Sequence, residues 1–116
     1  MRKLDGEAVL MRVFLGEGER IHGQPAYRFL VELFRKEKIA GATVLRGVLG
    51  FGAKSHLHSA SLLRLSQDLP IVVEVIDTQE NIDRVLPLMD EVLEEGLVTC
   101  EKVRVLRYAP GRSNDE

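Results

Sequence analysis

The chain has 116 residues, of which 45% are apolar and 29% are charged, and its formal net charge is -2. These values are typical of one globular domain, so we assign residues 1–116 to a single domain with a core at about 8–108 and a flexible tail at 109–116. The slight acidity argues against nonspecific binding of nucleic acid, which needs an excess of Lys and Arg. With a single cysteine and no run of 18 apolar residues, the chain is predicted to be cytoplasmic and not inserted in a membrane.

The first half of the chain predicts a strand, a helix and a second strand. Ala8–Leu15 is an apolar run with β-branched residues and glycines behind it, which is typical of a strand followed by a loop. Apolar residues then recur at every third or fourth position, which predicts an amphipathic helix over Pro25–Lys38. Thr43–Leu49 is predicted to be the second strand, and it leads into a segment rich in glycine and serine.

The second half predicts extended chain, a helix and a last strand. Leu62–Leu65 and Pro70–Ile76 are predicted to be extended, and Val98–Tyr108 is predicted to be the last strand. Between them, Asp77 and Thr78 are candidate N-caps of a helix. The spacing of Asp77 to the next glutamate fits a capping box better than the residues after Thr78 do.

The predicted second helix ends at a glycine. Its apolar spacing continues to Gly96, a residue that commonly follows the end of a helix. Pro87 falls inside the pattern, where its missing N–H is expected to kink the helix.

The order β-α-β-β-α-β predicts an α+β fold, a ferredoxin-like sandwich with an antiparallel sheet and two helices on one face. The opposite face of such a sheet should be polar, yet the second face of each strand is apolar with one charge near its middle: Arg12, Arg46 or Glu74. We therefore expect copies of the chain to bury this face, with at least one ion pair among these three residues.

The central motif AGATVLRGVLGFG, at residues 40–52, is specific, and together with the strand order it resembles the PII-like signalling proteins of the domain-of-unknown-function type. The resemblance covers about Leu10 to Tyr108. Other residues that carry it are His56, Leu65-Ser66, Asp68-Leu69-Pro70 and Val103-Arg104-Val105.

The resemblance implies a homotrimer with sites for a small-molecule effector in the clefts between subunits. Classical PII proteins bind adenine nucleotides there and contact enzymes or transporters through the loop after the second strand. We expect an ATP, ADP or AMP ligand, no required cofactor, and an enzyme or membrane transporter as a candidate partner. The chain departs from the classical pattern, since residues 94–98 contain no lysine and the loop is shorter and has no tyrosine. The expected ligand-binding residues are Arg46, Gly47, Gly50, Phe51, Gly52, Lys54, Ser55, His56 and Arg104.

The glycine segment permits more than one kind of chemistry. Residues 47–55, GVLGFGAKS, come within one residue of a phosphate-binding P-loop, but Ala53 separates Gly52 from Lys54 and no parallel sheet is predicted. The glycines could form a looser nest of donors for a phosphate, or they could simply allow a bend or a tight contact. Glu17 could meet a ribose or a neighbouring subunit's loop, although a lone acidic loop residue is more often exposed.

Two other functions stay open. A small trimeric enzyme could use His56 or Lys54 as an acid or base. A trimeric metal-binding protein could hold an ion with His22, His56 and His58, although further ligands are not close in sequence. We predict no catalytic residue and no metal site.

Overall fold

The computed structural model describes residue 4 and residues 6–51 and 69–111. The extended segment predicted at 62–65 lies outside these residues. The described elements in chain order are β1 (Gly6–Gly16), β2 (Arg20–Ile21), β3 (Gln24–Pro25), α1 (Ala26–Lys36), β4 (Ala42–Arg46), β5 (Pro70–Asp77), α2 (Gln79–Asp90) and β6 (Leu97–Val105).

The four long strands form one sheet in the order β4-β5-β1-β6, and every neighbouring pair is antiparallel. Both helices bury their apolar stripes against the same face of this sheet, because α1 and α2 share one core cluster with alternate residues of β1 and β5. This arrangement confirms the predicted ferredoxin-like sandwich. The fully buried side chains at the centre of the core are Met11, Val13, Leu30, Phe34, Val73, Ile82 and Val85.

The connection between β1 and α1 differs from the prediction. It contains a small hairpin of β2 and β3, in which Arg20 pairs with Pro25. Two-residue strands are too short to show alternation, so no periodic pattern in the sequence predicts them. The helix begins at Ala26, whose N–H donates to the Glu19 carbonyl at 2.8 Å, and Pro25 is its N-cap instead of its first residue.

The cap of α2 is Thr78, not Asp77. The Thr78 side chain accepts a hydrogen bond from the Asn81 N–H at 3.2 Å, as an N-cap residue does. Asp77 instead ends β5 and is fully buried. The helix continues past Pro87 but ends at Asp90, well before the end predicted at Gly96.

Gly96 is required by tertiary structure and not by a helix end. Its φ is +124°, and a Cβ built there would lie 3.0 Å from the Phe14 carbonyl oxygen. The residue therefore allows the chain to pass close to β1 just before β6 begins.

The sheet face without helices is apolar with a charged centre, as predicted. Arg12 Nε lies 2.8 Å from Glu74 Oε2, and Arg12 Nη1 lies 2.7 Å from Glu101 Oε2, so the expected ion pair is confirmed. Hydrogen bonds to Glu74 and then Glu101 raise the pKa of the Arg12 guanidinium above its ordinary value. Leu97, which is 58% exposed, is one of several large apolar side chains on this face.

The placement of Arg46 on that face was wrong. Arg46 pairs with Ile71 across β4 and β5, and directly opposed residues of antiparallel strands point to the same side. Ile71 belongs to the core beneath the helices. Arg46 therefore lies on the helix side of the sheet, and the outward residues of β4 are Thr43 and Leu45.

Candidate functional site

The segment that follows β4 is held against the first residue of β5. The Gly47 N–H donates to the Pro70 carbonyl at 2.8 Å. A Cβ built at Gly47 would lie 2.8 Å from Pro70 Cγ, and one built at Gly50 would lie 3.0 Å from the same atom. Neither glycine is among the described residues with positive φ. These glycines therefore serve close approach, and they seat the root of the loop on the proline ring.

Arg46, the last residue of β4, forms an ion pair with Glu17, which follows β1. The Glu17 side chain is only 15% exposed, whereas that of Arg46 is 58% exposed. The Glu17 N–H donates to the Leu69 carbonyl at 2.9 Å, so the ends of β1 and β4 and the start of β5 meet here. Glu17 Oε1 is buried, and none of the described residues donates a hydrogen bond to it.

Glu17 was considered from the sequence as a contact of a ribose or of a neighbouring subunit's loop, but it was not included in the expected ligand-binding residues. Its sequence context is that of an exposed loop acid, because its contact with Arg46 depends on strands that are far apart in sequence. The only local sign was its position directly after a predicted strand.

Exposed apolar residues follow Arg46 in the chain. Val48 and Leu49 are largely exposed, and Phe51 is 79% exposed. Exposed apolar groups that lie together commonly mark a contact with a ligand or partner. The other expected residues of this segment, Gly52, Lys54, Ser55 and His56, lie outside the described residues.

Arg104 lies far from Arg46 within one chain. Arg104 is opposite Glu7 of β1, whereas Arg46 is opposite Ile71, which in turn is opposite Leu15 of β1. At about 3.3 Å per residue, the distance from Glu7 to Leu15 is about 26 Å. Moreover, β4 and β6 are opposite edges of the sheet. The two arginines can share a ligand only if they come from different subunits.

A groove of about 400 Å³ opens at the other end of the sheet from Arg46. Its described lining is mostly apolar, with Glu74 and Arg107 as charged members. A smaller groove of about 190 Å³ lies between the β2 region and the end of α2. The described linings of both grooves lack the expected ligand-binding residues. The lining of the larger groove is Leu4, Ala40, Gly41, Ala42, Thr43, Glu74, Val75, Ile76, Val105, Arg107 and Tyr108.

The alternatives based on metal binding and catalysis gain no structural support. Within residues 6–51 and 69–111, no three His, Cys, Asp or Glu side chains are placed to hold a metal ion. The His22 ring packs edge-on against Phe29, with 5.2 Å between centroids. His56, His58 and Lys54 lie outside the described residues, so their roles stay predictions.

Cys100 is exposed on β6. Partial burial, and then the Asp83 carboxylate, raise the pKa of its thiol above the ordinary value. A raised pKa disfavours the reactive thiolate.

The described helices are also too short or too polar to cross a bilayer.

The strand order places the chain in the ferredoxin-like class of folds, and solved structures of PII-like proteins share its fold. A putative PII-like signalling protein from Thermus thermophilus matches with a TM-score of 0.62 at 18% identity, over 89% of this chain and 94% of its own. CPII, a nitrogen regulatory PII-like protein from Thiomonas intermedia K12 bound to ADP, AMP and bicarbonate, matches with a TM-score of 0.58 at 16% identity, over 85% and 94%.

Sequence comparison identifies the family. The model of DUF190, an uncharacterized ACR family, matches residues 8–105, so the chain belongs to this family. A UPF0166 protein from Methanocaldococcus jannaschii is 36% identical over 102 residues, which is 87% of this chain and 94% of the relative. Another, from Aquifex aeolicus, is 37% identical over 99 residues, which is 84% and 91%. The PII-like resemblance is confirmed.

Proposed function

We propose that the protein is a noncatalytic, cytoplasmic PII-like regulator that forms a homotrimer and binds an adenine nucleotide between its subunits. The bound nucleotide orders the loop after β4, and the loop then changes affinity for a partner enzyme or membrane transporter. Such coupling requires that the nucleotide prefers one state of the loop. The proposal rests on the first residues of this loop, where the partly exposed guanidinium of Arg46 is followed by glycines that pack against Pro70.

The chemistry of this root suits a nucleotide. A guanidinium has five N–H donors, and the described contact of Arg46 uses Nη2 alone. The remaining donors can bind a phosphate in the forked geometry that arginine favours. Exposed Phe51 offers an aromatic face to a base, and base–aromatic stacking is a common mode of recognition. The fold neighbour bound to ADP and AMP supports this choice of ligand.

Trimer formation is supported by the helix-free face. It exposes Phe14, Leu45, Ile76 and Leu97, which together are more apolar than a free sheet surface should be. Its central charge, Arg12, is already paired with carboxylates of the same chain, so burial of this face would not leave the guanidinium without a partner. Association would also allow Arg104 of one subunit to approach Arg46 of the next.

Calorimetric titration tests the nucleotide. ATP, ADP and AMP are titrated into the wild type, Arg46→Ala, and the control Arg28→Ala on the exposed side of α1. We expect at least one nucleotide to bind the wild type and Arg28→Ala equally, and to bind Arg46→Ala about tenfold or more weakly, because a charge-assisted hydrogen bond contributes about 1.5–3 kcal/mol. Absence of binding by all three nucleotides would remove the nucleotide from the proposal. Sedimentation that shows a stable monomer would remove the trimer.

A further inference from the structure

We propose that Glu17 determines specificity at the nucleotide site: it accepts a hydrogen bond from a ribose hydroxyl and repels a bare polyphosphate. The inference rests on the proposed function and adds a role for a residue outside the expected site. It implies that the site selects a nucleoside phosphate, and not merely an anion.

The geometry begins with the position of the carboxylate. Glu17 Oε2 pairs with Arg46 Nη2, so the carboxylate lies directly beside the guanidinium that would receive a phosphate. Its side chain is 15% exposed, and the backbone N–H of the same residue is bonded to the Leu69 carbonyl at 2.9 Å. The carboxylate therefore lies next to the anion site, restrained there by its ion pair and by the burial of its side chain.

The second observation is the unused oxygen. Glu17 Oε1 is buried and receives no hydrogen bond from the described residues. A carboxylate can accept about four hydrogen bonds, and a buried acceptor without a donor is costly. A ligand that offers a donor to this carboxylate is therefore favoured. A ligand that brings only negative charge binds Arg46 but must lie beside a carboxylate to which it offers no donor.

A nucleotide meets both conditions. When a phosphate of its 5′ chain lies on Arg46, the ribose is the adjoining group and its hydroxyls are donors. Acidic side chains bind ribose hydroxyls in this way at other nucleotide sites. Inorganic tripolyphosphate matches the phosphates of ATP but, when ionised, has no comparable donor. Adenine contacts also contribute to the preference for ATP over tripolyphosphate, so the change in this preference when Glu17 is substituted reports on the carboxylate.

The experiment measures that preference. ATP and tripolyphosphate are titrated by calorimetry into the full-length wild type, Glu17→Gln, and Glu80→Gln. The last variant makes the same change of charge at the start of α2, at the opposite end of β5 from Pro70. We expect Glu17→Gln to bind tripolyphosphate about tenfold more tightly, and ATP no more tightly than the wild type does, because the repulsion is lost and an amide oxygen accepts more weakly. Glu80→Gln should keep the wild-type ratio.

A second measurement does not depend on the folding of a variant. The wild type should bind 2′,3′-dideoxy-ATP about fivefold or more weakly than ATP, because the hydroxyl donors are missing. Equal affinity for these two nucleotides would overturn the inference, as would a Glu17→Gln variant that changes ATP and tripolyphosphate affinity by the same factor. Both results leave the proposed function standing. A wild type that binds neither ATP nor tripolyphosphate would overturn this inference, and the proposed function would then stand only if ADP or AMP bound.

Discussion

Asp77 provides the sharpest test of how the start of β4 is fixed in the fold. Its buried carboxylate joins the start of β4 to the start of α2. Oδ2 accepts from the Ala40 N–H at 2.8 Å, and Oδ1 accepts from the Thr78 N–H at 2.7 Å and from Asn81 Nδ2 at 2.9 Å. Removing it would leave several donors without this acceptor, some of them shielded from water.

We expect Asp77→Ala to lower the free energy of unfolding by about 3 kcal/mol. Each hydrogen bond to a charged acceptor contributes about 1.5–3 kcal/mol, and losses within one cluster are not additive. Asp77→Asn should lower the free energy of unfolding by about 1–2 kcal/mol, and it should affect the hydrogen bonds at the two oxygen positions unequally. If its amide oxygen keeps the bonds at the Oδ1 position, its NH₂ group faces the Ala40 N–H, so that single bond is lost.

The assay is urea unfolding followed by circular dichroism, at one protomer concentration because association would contribute to stability. The control is Asp83→Ala, which removes an exposed carboxylate that accepts from Gln79 Nε2 at 2.9 Å and should cost less than about 0.5 kcal/mol. Amide hydrogen exchange in Asp77→Asn should accelerate at Ala40. An Asp77→Ala protein within about 0.5 kcal/mol of the wild type would refute the structural role assigned to this carboxylate.

The loop root and the cysteine permit two further predictions. Gly47→Ala should destabilise the protein by about 1–3 kcal/mol, because its Cβ would lie 2.8 Å from Pro70 Cγ, whereas Gly41→Ala, with nothing within 4 Å, should not be destabilised in the same unfolding assay. Equal stability of the two variants would contradict the close approach. The thiol of Cys100 should react with iodoacetamide more slowly than free cysteine at pH 8, because burial and Asp83 raise its pKa and leave less thiolate. Alkylation as fast as that of the free amino acid would disprove this.

Local patterns in the sequence determined most of the fold. The apolar spacing of α1 and α2 reflects the geometry of a helix and predicts the buried face of each helix without knowledge of its neighbours, and the two-residue period of a strand assigns the residues of β1 to two faces. The apolar helix-free face, with Arg12 and Glu74 at its centre, was predictable for the same reason. Element ends were less predictable. Thr78 is the N-cap because the neighbouring Asp77 accepts a hydrogen bond from Ala40, which is distant in sequence.

Tertiary structure alone decided the candidate site. Only the pairing of β4 with β5 places Arg46 on the helix side, beside Glu17. Only the approach of the chain to Pro70 explains why Gly47 is glycine. Strand order also separates Arg104 from Arg46 by the width of the sheet, so these two expected ligand-binding residues could share a ligand only between subunits, where the resemblance places the site. These relations join residues that are distant in sequence, and they depend on strand register, which no local periodicity encodes.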